Sequence, residues 1–335
     1  MSAKVAVGLS GGVDSAVAAL LLKEQGYEVF AVTMTLGRAG EDVSLRETRA
    51  AAESLGIELK VFDFASRWKR SVTDYIRETY LSGFTPNPCV RCNETVKFGL
   101  LPQAAFECGA DFFATGHYAR LEHSGGVRLL RGVDRAKDQS YFLYRVPVDV
   151  LSRTLFPLGG MTKAEVRSLA ASCGFAAASK GDSQDFCGGD PMEYVGREDS
   201  PGDIVDVSGK KLGRHRGFWH YTVGKRKGLG IGGGIPYYVT ALNSERNEVV
   251  VGFKDAAVRK EFFISDPVTL SGGELNGEFS VKIRSAGEPK GPVVVRGCTV
   301  NCPEGIMGVA PGQSAVFFNG DEIVGGGIIS TGFPA

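Results

Sequence analysis

The chain has 335 residues, and its 38 lysines and arginines balance 38 aspartates and glutamates, so its formal net charge is zero. This length accommodates two or three domains with packed cores, and the balanced charge gives no overall basicity of the kind that marks many nucleic-acid-binding proteins. The N-terminal region lacks a secretory signal pattern, and its longest apolar run, residues 16–22, is too short to span a membrane. We therefore expect a cytoplasmic protein without a membrane partner.

Positive charge is nevertheless concentrated locally. Residues 199–260 carry eleven lysines and arginines against six acidic residues, whereas residues 261–335 carry four against eight. Such a basic module is suited to contacting phosphates, although an ordinary solvated surface has a similar composition.

Apolar and helical patterns alternate through the first 120 residues. Strands are predicted at 5–9, 29–34, 57–62 and 112–114, and helices at 14–25, 44–55, 66–82 and 95–108. This alternation is typical of an α/β fold with a doubly wound parallel sheet, in which ligands bind at the carboxyl ends of the strands. The expected ligand edge therefore includes residues 10–15, Met34 and residues 115–117.

The remainder of the chain changes character twice. Residues 140–198 are predicted to be mainly helical, with Thr162 and Glu165 forming a capping box. After Pro201, short apolar runs separated by glycine predict two small β-rich modules, the second of them barrel-like, with strands at 237–240, 248–252, 279–283, 292–295, 315–318 and 323–329. We predict domains at 1–198, 199–260 and 261–335.

A serine–glycine loop follows the first predicted strand. Gly11 and Gly12 allow a sharp turn whose N–H groups face an anion, and Ser10 and Ser15 add hydroxyl groups at the start of a helix. The spacing matches neither GxxxxGK[ST] nor GxGxxG, so it favours a nucleotide cleaved between its α- and β-phosphates. The simpler alternative is a strand-to-helix turn without a ligand.

Seven cysteines, an odd number, favour free thiols or ligands over a disulfide framework. Cys89 and Cys92 form a CxxC motif before a predicted helix, where the helix terminus and Arg91 favour thiolate. Alternatively, the pair is half of a zinc site completed by His117 or Cys108. Buried or incidental thiols are predicted elsewhere, with Cys108 and Cys173 in helical cores and with Cys298 and Cys302 near the C-terminus.

The string SGGVDS at 10–15 resembles the PP-loop of the N-type ATP pyrophosphatases. Six further motifs follow along the chain: TPNPCVRCNETVKF at 85–98, ATGHYAR at 114–120, KDQSYFL at 137–143, SQDFC at 183–187, GKRKGLGIGG at 224–233 and GQSAVFFNG at 312–320. Together these motifs resemble, over nearly the whole chain, the tRNA-specific 2-thiouridylases, bacterial enzymes that thiolate uridine 34 of tRNA.

The resemblance implies roles for individual residues. Cys92 is the implied nucleophile, and Cys187 the implied persulfide carrier. The implied ATP-binding residues are Gly8, Leu9, Ser10, Gly11, Gly12, Val13, Asp14, Ser15, Met34 and Gly116. The implied tRNA-binding residues are His117, Lys137, Asp138, Gln139 and Gln313, to which the cationic turn adds Lys225, Arg226 and Lys227 as phosphate contacts.

The implied reaction consumes ATP with Mg²⁺, for which Asp14 is the natural charge partner, and takes sulfur from a persulfide-donating sulfur carrier or a cysteine desulfurase. Alternatively, Cys89, Cys92 and Cys187 hold an iron–sulfur cluster with one open iron. The chain also departs from the family pattern, because Lys225 replaces a usual glutamine and residues 281–286 lack an arginine–tyrosine run. A sulfurtransferase acting on another RNA site or a small molecule is therefore the alternative function.

Overall fold

The computed structural model describes residues 2–175, 189–232 and 234–332. The chain divides into two compact units. The first comprises Met1–Val72, Cys89–Gly188 and Asp321–Ile323, and the second comprises Thr73–Pro88, Gly189–Gly320 and Val324–Ala335.

The first unit is built on a five-stranded, wholly parallel sheet with the order β3-β2-β1-β4-β7. The central strand β1 therefore lies between β2 and β4, which is the point where successive connections diverge to opposite sides and where such sheets bind ligands. The strands are β1 (Lys4–Gly8), β2 (Glu28–Thr35), β3 (Leu59–Asp63), β4 (Phe112–Ala114) and β7 (Thr154–Leu155).

Helices cover this sheet. Val5 and Val7 of β1 are fully buried in a core shared with the first two helices, as expected of a parallel sheet shielded from water. The helices of this part of the chain are α1 (Val13–Glu24), α2 (Glu41–Leu55), α3 (Ala65–Trp68), α5 (Pro88–Cys92), α6 (Leu100–Glu107), α7 (Val148–Ser152) and α8 (Lys163–Ser172). One of them, α8, packs on α1 through Val166 and Ala170, which contact Val17 and its neighbours.

A hairpin of β5 (Ala119–Glu122) and β6 (Arg128–Arg131) extends the first unit. Residues 321–323 join it from late in the chain, with Glu322 paired to Leu130. The Asp321 carboxylate accepts hydrogen bonds from Arg120 at 2.9 Å and from Arg135 at 2.6 and 2.7 Å. These distant residues are therefore part of the first unit.

The second unit contains a four-stranded sheet with the order β10-β11-β8-β9. Its core is aromatic and aliphatic, including Phe218 and Trp219, and Tyr80 of α4 (Asp74–Leu81) packs against it. The strands are β8 (Gly202–Asp206), β9 (Lys211–His215), β10 (Tyr238–Asn243) and β11 (Glu248–Gly252).

The second unit also contains a closed six-stranded barrel, β12-β15-β14-β13-β16-β17, which closes through pairing of β12 with β17. Closure removes unpaired strand edges, and alternate residues such as Val293, Val295 and Phe317 fill the interior. The strands are β12 (Val258–Thr269), β13 (Asn276–Lys282), β14 (Lys290–Arg296), β15 (Thr299–Met307), β16 (Ser314–Asn319) and β17 (Glu322–Ser330).

The predicted fold class is confirmed, and the predicted barrel is present. The helix predicted at 66–82 is present, but five π-helical residues, Lys69–Thr73, lie between α3 and α4. The helix predicted at 95–108 is divided, because π-helical residues precede Phe98 and Gly99 and α6 begins at Leu100. The described residues of 140–198 are less helical than expected, since Pro147, Pro157 and Gly159-Gly160 interrupt them and only α8 exceeds two turns. The predicted capping box at Thr162 is present.

Two of the four cysteines that were predicted to be buried or incidental are more exposed than expected. Cys173 is exposed and Cys108 is half-buried, because each lies at the C-terminal end of its helix rather than within it. Cys302 is buried, and the loss of hydration raises the pKa of its thiol to about 11. Within the described ranges, we find no helix of the length and apolarity that a membrane span requires.

Candidate active site at the carboxyl edge of the parallel sheet

The loop after β1 is held by its two serines. The Ser15 hydroxyl accepts a hydrogen bond from the Ser10 N–H at 3.1 Å and donates to the Gly12 carbonyl at 3.1 Å. Gly11 has a φ of +74°, and a Cβ there would lie 3.0 Å from the Thr48 nitrogen of α2. Position 11 therefore requires glycine for both its conformation and its packing.

Gly12 is the N-cap of α1 and offers no side chain to the first helical N–H groups. Those groups, together with the partial positive charge of the twelve-residue helix, face the loop. An anion such as a phosphate is the natural partner of this arrangement. The strand before the loop ends at Gly8, and the loop is flanked by two buried residues, Leu9 and Val13.

The turn after β4 packs directly against the start of α1. A Cβ at Gly116 would lie 2.7 Å from the carbonyl carbon of Asp14, so only glycine allows this approach. Since β1 and β4 are adjacent, with Val7 opposite Ala114, residues 115–117 and the serine–glycine loop share one edge of the sheet. Met34 lies near the end of the neighbouring strand β2 and is half-buried. The predicted ATP-binding residues are thus assembled at one edge, and their binding role stays a prediction.

His117 is buried beside this edge. Its Nδ1 atom forms a 2.7 Å hydrogen bond with the Thr115 hydroxyl, and its ring packs against Phe98 and Phe156 with centroid distances of 5.5 and 6.0 Å. Burial, assisted by the charge of Lys97, holds the pKa of His117 well below its usual value. The imidazole is therefore neutral at physiological pH.

Asp14 contacts two side chains, those of Lys163 and Tyr118, that were not predicted to belong to the site. The Lys163 ammonium lies 2.7 and 2.8 Å from the two carboxylate oxygens, and the Tyr118 hydroxyl donates to one of them at 2.9 Å. Lys163 lies within the predicted capping box, between Thr162 and Glu165, and its separation of 149 residues from Asp14 means that no local sequence pattern indicates the pairing.

Cys92 is buried at the end of α5, and Cys89 is half-buried one turn earlier. Five π-helical residues, Asn93–Lys97, follow Cys92. Within them, Glu94 accepts hydrogen bonds from Arg91 at 3.0 Å and from Arg145 at 2.8 Å. These ion pairs join the wide helical turn to its neighbours, and π-helical turns are frequent at functional sites.

Cys187 lies outside the described residues, so neither its approach to Cys92 nor the three-cysteine iron–sulfur set is described. In the part of the chain that the structure describes, no three or more His, Cys, Asp or Glu side chains form a metal-binding group. Among the described residues, Cys89 and Cys92 therefore form no three-ligand group with His117 or Cys108, and the zinc alternative stays a prediction.

The segment from Lys137 to Gln139 is packed into the first unit rather than extended from it. Asp138 is buried, pairs with Arg131 at 3.2 Å and accepts the N–H groups of Gly132 and Ser140. Gln139 accepts the Tyr118 N–H at 3.0 Å, while Lys137 is half-buried. The simple alternative of an exposed Lys137–Asp138 pair is wrong, and tRNA contact by this segment stays a prediction.

The remaining predicted tRNA-binding residues belong to the second unit. The Lys225 ammonium donates to the His220 carbonyl at 2.9 Å and lies 5.3 Å from the Tyr221 ring centre. All three cations of the turn, Lys225, Arg226 and Lys227, are exposed. Gln313 donates to the Pro86 carbonyl at 2.6 Å. These contacts leave exposed positive charge on the turn, which is compatible with phosphate binding.

A parallel sheet carrying a serine–glycine anion loop at its switch point defines a nucleotide-binding α/β protein of the PP-loop class. Three family models match successive parts of the chain: a tRNA methyl transferase HUP domain at residues 3–188, a tRNA methyl transferase PRC-barrel domain at 192–253 and an aminomethyltransferase beta-barrel domain at 259–329.

Curated relatives match nearly end to end. The tRNA-specific 2-thiouridylase MnmA of Trichormus variabilis is 44% identical over 97% of this chain and 98% of its own length. Enzymes of the same name from Carboxydothermus hydrogenoformans and Geobacter metallireducens are 42% and 41% identical, and each alignment covers 97% of this chain and 97% or 96% of the relative. The chain belongs to the tRNA-specific 2-thiouridylase family.

Proposed function

We propose that this protein is an ATP-dependent sulfurtransferase that replaces O2 of uridine 34 in tRNA with sulfur. The observation that carries the proposal is the placement of the serine–glycine loop against Gly116 at the sheet edge, in a chain that aligns over 97% of its length with 2-thiouridylases. The basic turn at Lys225–Lys227 supports an RNA substrate.

The anion loop suits the first half of the reaction. Uracil O2 is a poor leaving group, and its attack on the α-phosphate of ATP converts it into an adenylate while pyrophosphate is released. N–H groups at the start of α1 and the loop hydroxyls stabilise the charge that collects on the departing pyrophosphate. Asp14 offers hard oxygen ligands beside the loop and would hold Mg²⁺, which supplies charge neutralisation when bound.

The two cysteines are suited to the second half of the reaction, the transfer of sulfur. A persulfide on Cys187, supplied by a sulfur carrier or a cysteine desulfurase, provides the sulfur that attacks C2, and AMP leaves. Cys92 thiolate then cleaves the sulfur–sulfur bond and forms a Cys92–Cys187 disulfide, or it forms that disulfide first and releases hydrogen sulfide for the attack. In either order, a thiol reductant returns the two electrons that restore both thiols.

The test is an anaerobic reaction of the full chain with ATP, Mg²⁺, a persulfide source and unmodified tRNA, followed by nucleoside digestion and mass analysis. We expect 2-thiouridine from the wild type and from Cys173→Ala, which removes an exposed thiol. Cys92→Ala and Cys187→Ala should each lose it. Pyrophosphate release should require tRNA.

Two other results of this experiment would favour the alternative substrate or the iron–sulfur cluster. If ATP binds but no 2-thiouridine forms, a sulfurtransferase acting on another RNA site or a small molecule replaces the proposal. If activity follows iron content and all three variants Cys89→Ala, Cys92→Ala and Cys187→Ala lose iron, the three-cysteine cluster replaces the persulfide route.

A further inference from the structure

The ion pair between Lys163 and Asp14 is unusually well placed for an interaction with a nucleotide. Asp14 is in the first turn of α1, directly after the anion loop, and the Lys163 ammonium lies within 2.8 Å of both its carboxylate oxygens. The Lys163 side chain is only 12% exposed, whereas the Asp14 side chain is 34% exposed. The lysine side chain is thus mostly buried, while part of the carboxylate that it contacts is open to solvent.

The backbone around Lys163 is fixed independently of this ion pair. Lys163 is the first residue of α8, and its N–H donates to the Asp134 carboxylate at 2.9 Å. Thr162 and Glu165 complete a reciprocal capping box, in which the Thr162 N–H donates to Glu165 at 2.7 Å. Because α8 also packs on α1, the chain presents this lysine to the loop without needing Asp14 to place it.

Electrostatics indicate why a lysine is needed there. The loop contains no lysine of its own, while Asp14 puts a carboxylate beside the place where a polyphosphate would bind. An unpaired carboxylate at that position repels the phosphates, and a neighbouring ammonium cancels this charge. A lysine carries three donors on a flexible stem, so its ammonium can move a short distance between carboxylate and phosphate oxygens.

We propose that Lys163 is a ligand of the ATP polyphosphate, and that Asp14 holds its ammonium beside the loop until the nucleotide arrives. On binding, the ammonium exchanges the carboxylate for a phosphate oxygen, and no covalent bond changes. The inference rests on the proposed function in one respect, which is that the chain binds ATP.

The test measures binding of inorganic pyrophosphate, ATP and AMP by calorimetry in EDTA, using the full chain. Lys163→Gln should weaken pyrophosphate and ATP binding about 10- to 100-fold, the value of one charge-assisted hydrogen bond, and should change AMP binding by less than about twofold. Lys163→Arg should recover part of the loss. Lys4→Gln, which removes a half-exposed cation at the opposite end of β1, should behave as the wild type.

Asp14→Asn separates a ligand from a purely structural ion pair. If Lys163 serves the phosphates, this variant removes the carboxylate that competes with them for the ammonium and should bind metal-free pyrophosphate as well as the wild type or more tightly. If the pair only stabilises the fold, Asp14→Asn and Lys163→Gln should lose pyrophosphate and AMP binding together and unfold at similarly lowered temperatures, which would overturn the inference. Failure of the wild type to bind ATP when Mg²⁺ replaces EDTA would instead refute the proposed function.

Discussion

At the scale of single residues, two buried polar groups of the first unit, Asp138 and His117, differ in their hydrogen-bond and charge partners. Asp138 is buried and paired with Arg131, so its charge is compensated inside the protein. His117 is also buried, but it has a hydroxyl partner and two aromatic neighbours rather than an acid. The same burial therefore leaves Asp138 a paired carboxylate and His117 a neutral imidazole.

The neutral state of His117 predicts a pH dependence of stability. Its pKa is lowered in the folded chain, so the unfolded chain binds more protons once the pH falls below the ordinary value near 6.5. The stability that this residue contributes is present above pH 6.5 and is lost as the pH falls toward the folded pKa. We expect His117→Gln to lose less stability than the wild type between pH 7.5 and 5.

Denaturant unfolding at the two pH values measures this effect. His123→Gln, at an exposed histidine, is the control and should lose as much stability as the wild type. His215 also has a lowered pKa through burial and contributes to the wild-type slope, so the comparison depends on the difference between variants. Equal slopes for wild type and His117→Gln would contradict the prediction.

At the scale of elements, the site depends on how closely the turn after β4 approaches α1. The side chains at 115 and 117 were readable from the sequence as residues at a strand end. The close approach of Gly116 to Asp14 involves only backbone atoms, so no side chain at position 116 indicates it in the sequence. Close backbone packing of this kind is decided by the relative placement of two adjacent strands.

Gly116→Ala should therefore disturb ATP binding. The added methyl would lie 2.7 Å from the Asp14 carbonyl carbon, so the turn or the start of α1 must shift. We expect a loss of roughly tenfold or more in ATP affinity and about 1–3 kcal/mol of stability, as for other overpacked sites. Calorimetry and denaturant unfolding measure both quantities.

Gly160→Ala is a matched control, because a Cβ there meets no atom within 4 Å. It should bind ATP as the wild type does. Wild-type affinity in Gly116→Ala would show that the turn tolerates a shift and is not a tight part of the site.

At the scale of the whole chain, the three-domain division predicted from composition, 1–198, 199–260 and 261–335, stays a prediction. The first compact unit excludes residues 73–88 and includes 321–323, whose Asp321 binds Arg120 and Arg135. Composition detects neither feature, because both depend on contacts between segments remote in sequence.

This arrangement predicts that a fragment of residues 1–198 is less stable than the corresponding part of the full chain. It lacks the partner strand residue Glu322, the Asp321 carboxylate and the Asp321 carbonyl that accepts the Arg131 N–H. Thermal unfolding monitored by circular dichroism should show a lower midpoint for the fragment than for the full chain. A fragment as stable as the full chain would contradict the prediction.

The alternation of strands and helices, the anion loop and the spacing of the cysteines could be predicted from the sequence alone. Each depends on a local pattern, namely apolar periodicity, paired glycines or the spacing of neighbouring residues. Strands such as β9 (Lys211–His215) and β15 (Thr299–Met307) were missed because basic residues, proline or glycine interrupt their apolar pattern. Only the tertiary structure paired Lys163 with Asp14, neutralised His117 by burial and closed the barrel through β12 and β17. Each of these depends on desolvation or on contact between distant segments, which folding alone brings about.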